Sequence, residues 1–152
     1  MALEIVSGGQ TGVDRAALDV ALEMGLECSG WCPKGRRAED GPIDTRYPLT
    51  ETESAEYAVR TKRNVRDTEA TLVLNRGSLA GGTAATVRFA EELVRPYLIV
   101  QLDQNPSPQD AANWLLTLDL IRLNVAGPRE SKAPGIHAES VKFLSRVVCL
   151  RG

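Results

Sequence analysis

The sequence is poor in the residues on which several common kinds of function depend. It has one histidine, three cysteines and 5% aromatic residues in a chain of 152. A lone histidine, His137, argues against serine–histidine catalysis and against a histidine metal site. Cys28, Cys32 and Cys149 lack the spacing of a disulfide framework, which favours reduced thiols. Cys28 and Cys32 lack two further zinc ligands, so we interpret them as core thiols.

Charge and hydropathy argue against two further classes of protein. The formal net charge is −2 and the pI is about 5.5, so bulk positive charge does not favour nucleic-acid binding. No apolar run approaches the roughly 18–20 residues that cross a membrane. Residues 1–7 have the pattern of a strand rather than a basic leader and an apolar core, so no signal peptide is predicted. We expect a cytoplasmic protein without membrane contact.

Short apolar runs alternate with helical patterns along the chain. The alternation indicates an open, mostly parallel sheet with helices on both faces. The continuously apolar strands agree with this, because both faces of such a sheet are buried beneath helices. We predict one Rossmann-like α/β domain of about five strands over residues 1–152. The predicted strands are 3–6, 28–32, 70–74, 97–102 and 120–125, and the helices are 13–24, about 52–66, 83–94, 109–118 and 136–150.

Two helix starts and one long loop carry additional signals. Thr50 or Thr52 can cap the second helix with Glu53 in a capping box, and Ser131 lies within capping distance of the last helix. Residues 33–48 lack periodicity and are rich in turn formers and charges. A loop of this length in a compact domain is more often functional than idle. Its cations Lys34, Arg36 and Arg37 are candidates for a lid over a cleft or for a solvated surface cluster.

Glycines follow the first and third predicted strands, and each group precedes a helix. Gly8, Gly9 and Gly12 form the first group, and Gly77, Gly81 and Gly82 form the second. Glycine permits a sharp turn and a close approach of the backbone to a ligand, and a helix N-terminus presents unpaired N–H groups. Ligands of parallel sheets bind beyond the carboxyl ends of the strands. These patterns predict a phosphate-binding cleft between residues 8–12 and 81–83.

Other sequence features narrow the type of ligand and define the candidate residues. The first glycine group does not match G-x-G-x-x-G, and no G-K-[ST] is present, so neither a nicotinamide cofactor nor a Walker-type nucleotide is favoured. Asp14 and Arg15 are either part of the cleft or an exposed pair. The cluster Arg60–Arg66 is interpreted as a solvated helix face or a subunit contact. The predicted binding residues are Gly8, Gly9, Gln10, Thr11, Gly12, Arg15, Lys34, Gly35, Arg36, Asn75, Gly81, Gly82, Thr83, Arg129 and Ser131.

Four motifs of the sequence are SGGQTGVDR at 7–15, WCPKGR at 31–36, AGGT at 80–83 and NVAGPRES at 124–131. Together they resemble the molybdenum cofactor carrier family, which belongs to a wider group of Rossmann-like, nucleotide-sensing and lysine-decarboxylase-like folds. The resemblance implies a cytoplasmic homo-oligomer, a dimer or tetramer, that holds the molybdenum cofactor (molybdopterin), or molybdate, for storage or delivery to a molybdoenzyme or cofactor-insertion partner. On this interpretation there is no catalytic residue and no protein-bound metal, and Gly9→Asp abolishes binding without unfolding the protein.

The sequence leaves two other functions open. Related folds include nucleoside-monophosphate phosphoribohydrolases, whose motif is similar to P-G-G-x-G-T-x-x-E. The corresponding stretch here, Ala80 to Val87, lacks the second glycine step and the glutamate, and Glu91 and Glu92 lie too far along the helix to replace it. A sensor or single-stranded DNA binder of the same broad fold is disfavoured by the acidic pI and the few aromatic residues.

Overall fold

The computed structural model describes residues 3–119 and 122–152, and its centre is a five-stranded parallel sheet. The strands of the protein are β1 (Glu4–Val6), β2 (Glu27–Ser29), β3 (Trp31–Cys32), β4 (Thr50–Glu51), β5 (Ala70–Asn75), β6 (Tyr97–Gln101) and β7 (Arg122–Ala126). The central sheet has the order β2-β1-β7-β5-β6, with every neighbouring pair parallel, and β3 and β4 form a separate parallel ribbon. The predicted Rossmann-like α/β fold is confirmed.

The helices divide into two packed groups. They are α1 (Val13–Met24), α2 (Tyr57–Arg66), α3 (Gly81–Glu92), α4 (Pro108–Leu116) and α5 (Ile136–Arg151), with a short 3₁₀ turn at Leu102–Gln104. Helix α5 packs against α1 and α4, while α2 packs against α3. The connections β1-α1-β2 and β5-α3-β6 run in opposite directions across the sheet, so right-handed crossovers place α1 and α3 on opposite faces. None of the helices described is long and apolar enough to cross a membrane.

The core is built from the continuously apolar strands. All six residues of β5 are buried, and its Leu72 and Leu74 pack with Ile5 of β1 and Leu123 of β7. Successive side chains of a strand point to opposite faces, so a run of apolar residues packs on both covered faces of a parallel sheet. A second, smaller cluster joins Leu18 of α1 to Cys32, Ala38, Ile43 and Tyr47, and so fixes the long loop against the first helix.

Gly30 divides the second predicted strand into β2 and β3. Its φ is +149°, and a Cβ at this position would overlap the backbone of Ser7. The chain therefore leaves the central sheet after Ser29, and Trp31–Cys32 pairs with Thr50–Glu51 instead. That pairing corrects the prediction of a helix starting after Thr50 or Thr52, because α2 begins only at Tyr57 and has no side-chain cap.

The last helix is capped by a residue other than the predicted one. The Glu130 carboxylate accepts hydrogen bonds from the N–H groups of Gly135 (2.7 Å) and His137 (3.0 Å) at the start of α5. An anion is favourable at this positive end of a helix. Ser131, predicted as the cap, instead bonds Glu39. The strand predicted over 120–125 is described from Arg122, and residues 120 and 121 lie outside the described part of the chain.

Candidate anion-binding site

A cavity of about 560 Å³ lies at the carboxyl ends of β1, β5 and β7. Because β7 sits between β1 and β5, and the helices after β1 and β5 go to opposite faces, the loops after these strands diverge and leave a crevice. The structure thus brings Gly8 of the first glycine group to the same cavity as Gly81 and Gly82 of the second. Of the predicted binding residues, Gly8, Gln10, Asn75, Gly81, Gly82, Thr83 and Arg129 line it.

The start of α3 presents unpaired donors to this cavity. Within residues 3–119 and 122–152, no acceptor is found for the N–H groups of Gly81, Gly82 and Thr83, and the first backbone bond of the turn is from Ala84 N to Ala80 O at 3.2 Å. Gly81 has φ +51°, and a Cβ on Gly81 or Gly82 would meet no atom within 4 Å. Free N–H groups and the positive end of a twelve-residue helix favour an anion.

The start of α1 does not offer the donors that the glycine pattern predicts. Three of the four N–H groups from Gly9 to Gly12 are already bonded within the protein. The bonds are Gly9 to Ser7 Oγ (3.2 Å), Gln10 to Asp14 Oδ2 (3.4 Å) and Thr11 to Gln10 Oε1 (3.0 Å), and the next N–H along the helix that is bonded is Val13 to Pro128 O (3.3 Å). The Gly12 N–H is not among these bonds, but Gly12 does not line the cavity, so the donors that the glycine pattern predicts for the cavity are found at the start of α3.

Gly9 and Gly12 are glycines because of packing. Gly9 has φ +78°, and a Cβ there would meet Ile43 Cδ1 at 2.9 Å and also Leu49. Gly12 has φ +77°, and its Cβ would overlap the backbone at Pro128. Neither residue lines the cavity. The predicted Gly9→Asp test is therefore unsuitable, because the substitution would displace the loop as well as any ligand.

Arg60 on α2 is a buried cation in the cavity wall, which corrects the interpretation of Arg60–Arg66 as a solvated face. The residue is 7% exposed, and its Nη1 donates to the Gly8 carbonyl at 2.6 Å and lies 3.7 Å from Asp14 Oδ2. A Cβ on Gly8 would overlap the Arg60 guanidinium. Gly8 is thus required for this cation to reach its place, while Lys62 and Arg66 of the same helix are exposed.

Asp14 is a buried acid beside this arginine and also lines the cavity. Burial raises the pKa of Asp14 to about 6, although the nearby Arg60, the Gln10 N–H and more distant cations oppose the shift. Burial also lowers the pKa of Arg60 from its ordinary value, although the nearby Asp14 carboxylate opposes this shift. The pair therefore supplies one fixed cation and one carboxyl group that titrates near neutral pH.

We expect Asp14→Asn to change the pH dependence of stability. Because the folded state raises the pKa of Asp14 from 3.8 to about 6, its contribution to stability is full below the unfolded pKa and is lost as pH rises through 6. The loss is about 3 kcal/mol. Urea unfolding from pH 3 to 7 should show wild type losing this amount relative to Asp14→Asn. Parallel curves for the two proteins would contradict the assignment.

Three arginine guanidinium groups lie near the ring of Tyr57, which lines the cavity. The ring centroid lies 4.7 Å from Cζ of Arg37 and 5.3 Å from Cζ of both Arg60 and Arg129. Such contacts hold arginines in fixed positions against an aromatic face. Lys132 adds a further positive charge to the lining. Cations clustered around one concave surface attract anions despite the negative net charge of the chain.

Much of the predicted lid is engaged within its own loop. The Arg36 side chain donates to four backbone carbonyls, those of Ile43, Asp44, Tyr47 and Leu49. Arg15 forms a bidentate pair with Asp40 at 2.9 and 3.1 Å. Arg15, Lys34, Gly35 and Arg36 do not line the cavity, so the structure does not place these four predicted residues beside a ligand there.

Two buried amides shape the loops that do line the cavity. Asn75, 1% exposed, donates to the Gly77 carbonyl at 2.9 Å and so organises the turn between β5 and α3. The Oε1 atom of Gln10 accepts from the N–H groups of Thr11 and Glu39. Its Nε2 atom is buried and has no hydrogen-bond partner among the described residues. A guest in the cavity is a candidate acceptor for this orphaned donor.

Residues that could bind a metal directly are not concentrated here. No group of three or more His, Cys, Asp or Glu side chains suited to a metal ion is found in the described part of the chain. Burial raises the pKa values of Cys28 and Cys32, which disfavours their thiolate forms. His137 bonds the Asp19 carboxylate at 2.8 Å, and neither residue lines the cavity.

The fold and the site together define a Rossmann-like domain with an anion-attracting cavity beyond its strand ends. Residues 5–148 match the sequence profile described as "Circularly permutated YpsA SLOG family", so the chain belongs to that family. It is also similar, at 40% identity and a TM-score of 0.91, to the crystal structure of a protein from Syntrophus aciditrophicus SB that is named "Putative molybdenum carrier protein". The similarity covers 97% of this chain and 95% of the other. No curated protein sequence matches the chain significantly.

Proposed function

We propose that this protein is a non-catalytic carrier that holds the molybdenum cofactor for storage or delivery. The observation that carries the proposal is one cavity containing both the free N–H groups of α3 and the buried Arg60 guanidinium. The similarity to the Syntrophus aciditrophicus protein, which is named "Putative molybdenum carrier protein", supports the identity of the ligand. Molybdate, or a related phosphorylated anion, is the simpler form of the same proposal.

The size of the cavity favours the organic cofactor over molybdate. A volume of about 560 Å³ lies in the range of roughly 300–1,000 Å³ that is typical of sites for drug-sized molecules. Molybdate has five heavy atoms and would leave most of this space unfilled. The molybdenum cofactor combines the ring system and terminal phosphate of molybdopterin with an oxygen-rich metal centre, so it can occupy the cavity and contact more than one of its charged groups.

The residues present suit the chemistry of that guest. The N–H groups at Gly82 and Thr83 fit a phosphate, and Arg129 and Lys132 provide charge-assisted hydrogen bonds. The orphaned amide of Gln10 can donate to a pterin or phosphate acceptor. None of the three cysteines lines the cavity, so the metal would keep the sulfur ligands of its own cofactor.

We extend the proposal to the cellular setting of the carrier. It is a cytoplasmic homo-oligomer, a dimer or tetramer, that passes its cargo to a molybdoenzyme or to a cofactor-insertion protein. The cytoplasmic setting and the assembly rest on the resemblance to the molybdenum cofactor carrier family.

The test is to identify what the protein carries through purification. We expect protein from cells that make the cofactor to retain molybdenum, measured by plasma mass spectrometry, together with a pterin detected by fluorescence after oxidation. Molybdenum without pterin would support the molybdate form of the proposal. Protein that lacks both, and that takes up neither when mixed with released cofactor or molybdate, would refute the carrier function.

One observation favours a second candidate, a phosphoribohydrolase-like enzyme. Asp14 is a carboxyl group in the cavity with a pKa near 6, which suits a general acid at neutral pH. The glutamate of the hydrolase motif has no counterpart here, because its position is the exposed Arg88, and the exposed Glu91 and Glu92 do not line the cavity. Release of ribose 5-phosphate from nucleoside monophosphates, lost in Asp14→Asn, would establish this alternative.

A further inference from the structure

A single carboxylate is surrounded by hydrogen-bond donors from residues that the sequence predicts to bind a ligand. Glu39 of the long loop accepts hydrogen bonds from the Thr11 hydroxyl, from the Ser131 N–H at 3.1 Å and from the Ser131 hydroxyl. Its Oε2 also lies 3.9 Å from Nη1 of Arg129. The donors come from the segments after β1 and after β7, and the acceptor comes from a third segment.

This arrangement has the properties of an occupied oxyanion site. Two hydroxyl groups, one peptide N–H and one guanidinium converge on two carboxylate oxygens, as they would on two oxygens of a phosphate. Partial burial opposes ionisation of Glu39, but the hydrogen bonds from Ser131 and Thr11 lower its pKa from the ordinary value. The group therefore remains negative at neutral pH and continues to attract these donors.

A second observation connects this cluster to the cavity. The Glu39 N–H donates to Oε1 of Gln10 at 2.9 Å, and the same Gln10 carries the buried Nε2 without a partner among the described residues. Gln10 and Arg129 both line the cavity. Gln10 is the chain neighbour of Thr11, and Arg129 is itself one of the donors around Glu39. An anion that replaced the Glu39 carboxylate would thus lie beside the cavity wall.

We infer that Thr11, Ser131 and Arg129 form an oxyanion-binding site at the edge of the cavity, and that Glu39 occupies it as an internal competitor. The ligands of this site are tetrahedral oxyanions, either free or as the terminal group of a larger guest. Its existence does not depend on the carrier proposal, although its role as an extension of the cavity rests on that proposal. Glu39 then sets the affinity, because an incoming anion must displace it.

The loop would remain in place without the Glu39 carboxylate. Ala38, Ile43 and Tyr47 are buried in the small core beside Leu18, and Asp40 pairs separately with Arg15. Removal of the Glu39 side chain should therefore free the donors of Thr11, Ser131 and Arg129, while the loop stays packed against the small core. This property makes the inference testable with a single substitution.

The experiment compares wild type with Glu39→Ala, using inorganic phosphate and molybdate as probes in titration calorimetry. We expect Glu39→Ala to bind at least one of these anions about tenfold more tightly, since charge-assisted donors become free. Glu23→Ala, which removes an exposed glutamate of α1, is the matched control and should bind like wild type. Adding Ser131→Ala to Glu39→Ala should abolish the gain. Glu39→Gln, which keeps the side-chain volume, is the second variant and should gain less.

Three outcomes would overturn the inference. The first is equal affinity of wild type, Glu39→Ala and Glu39→Gln for both anions, in proteins with folded circular dichroism spectra. The second is a gain that survives Ser131→Ala. The third is a gain that is abolished by Gly82→Asp, since this would assign binding to the start of α3. A gain that survives Gly82→Asp supports the separate site even if the purified protein carries no molybdenum, which distinguishes this test from that of the carrier proposal.

Discussion

Replacement of Gly82 by aspartate is expected to weaken binding of the molybdenum cofactor by about 100-fold or more while the protein remains folded. A Cβ at Gly82 meets no atom within 4 Å, and the residue does not need positive φ. An acidic residue in the first turn of α3 also favours the helix dipole. The same carboxylate would stand where an anionic guest approaches the free N–H groups, and like charges about 4 Å apart repel by several kcal/mol.

The control for this prediction is Gly82→Asn, which has the same size and no charge. We expect Gly82→Asn to lose much less affinity, and both variants to unfold thermally within a few degrees of wild type. Binding is measured as molybdenum and pterin retained per chain after gel filtration with released cofactor. If Gly82→Asp retained as much cofactor as Gly82→Asn, the start of α3 would not be the anion site.

Replacement of Arg60 by methionine is expected to lower the free energy of unfolding by about 3 kcal/mol at pH 8. Methionine fills a similar volume but leaves Asp14 buried without its cation, and the Gly8 carbonyl loses its donor. Since Asp14 can take up a proton, the loss should be smaller at pH 5. The double variant Arg60→Met with Asp14→Asn should recover part of the stability at pH 8.

The measurement is a urea unfolding cycle with wild type, both single variants and the double variant at pH 5 and pH 8. Coupling between the two positions should appear as a non-additive free energy that is larger at pH 8. Losses that are equal at both pH values, or strictly additive, would show that Arg60 does not act through the Asp14 carboxylate. Cofactor retention by Arg60→Met would be expected to fall as well, because the cavity loses its buried cation.

The fold was accessible from the sequence because its strands are apolar without interruption. Strand β5, with Leu72 and Leu74, has the composition of a strand covered on both faces, and the rule that ligands bind at carboxyl ends predicted that the two glycine groups meet. The order of the strands was not accessible. Nothing local in residues 122–126 indicates that β7 inserts between β1 and β5.

The site was predicted only in part, for physical reasons that differ between residues. Gly9 and Gly12 looked like ligand-facing glycines, but positive φ and close packing explain them equally well. Arg60 looked like a solvated cation because charge alone does not show burial. A signal was available in its spacing, since Tyr57, Arg60 and Asn64 recur at three- and four-residue steps and line the cavity together. The partners of Thr11 and Ser131 lie 28 and 92 residues away, beyond any local pattern.

The central place of β7 has a consequence for assembly of the molecule. Two substructures, β1-α1-β2 and β5-α3-β6, share no strand pairing in the central sheet until residues 122–126 lie between them. A fragment that ends before Arg122 would contain the two substructures that form the walls of the crevice, but it would lack β7, the strand that joins them. Cargo binding is therefore expected to arise only after the most distant contacts in the chain have formed, so a half-made polypeptide could not capture its guest prematurely.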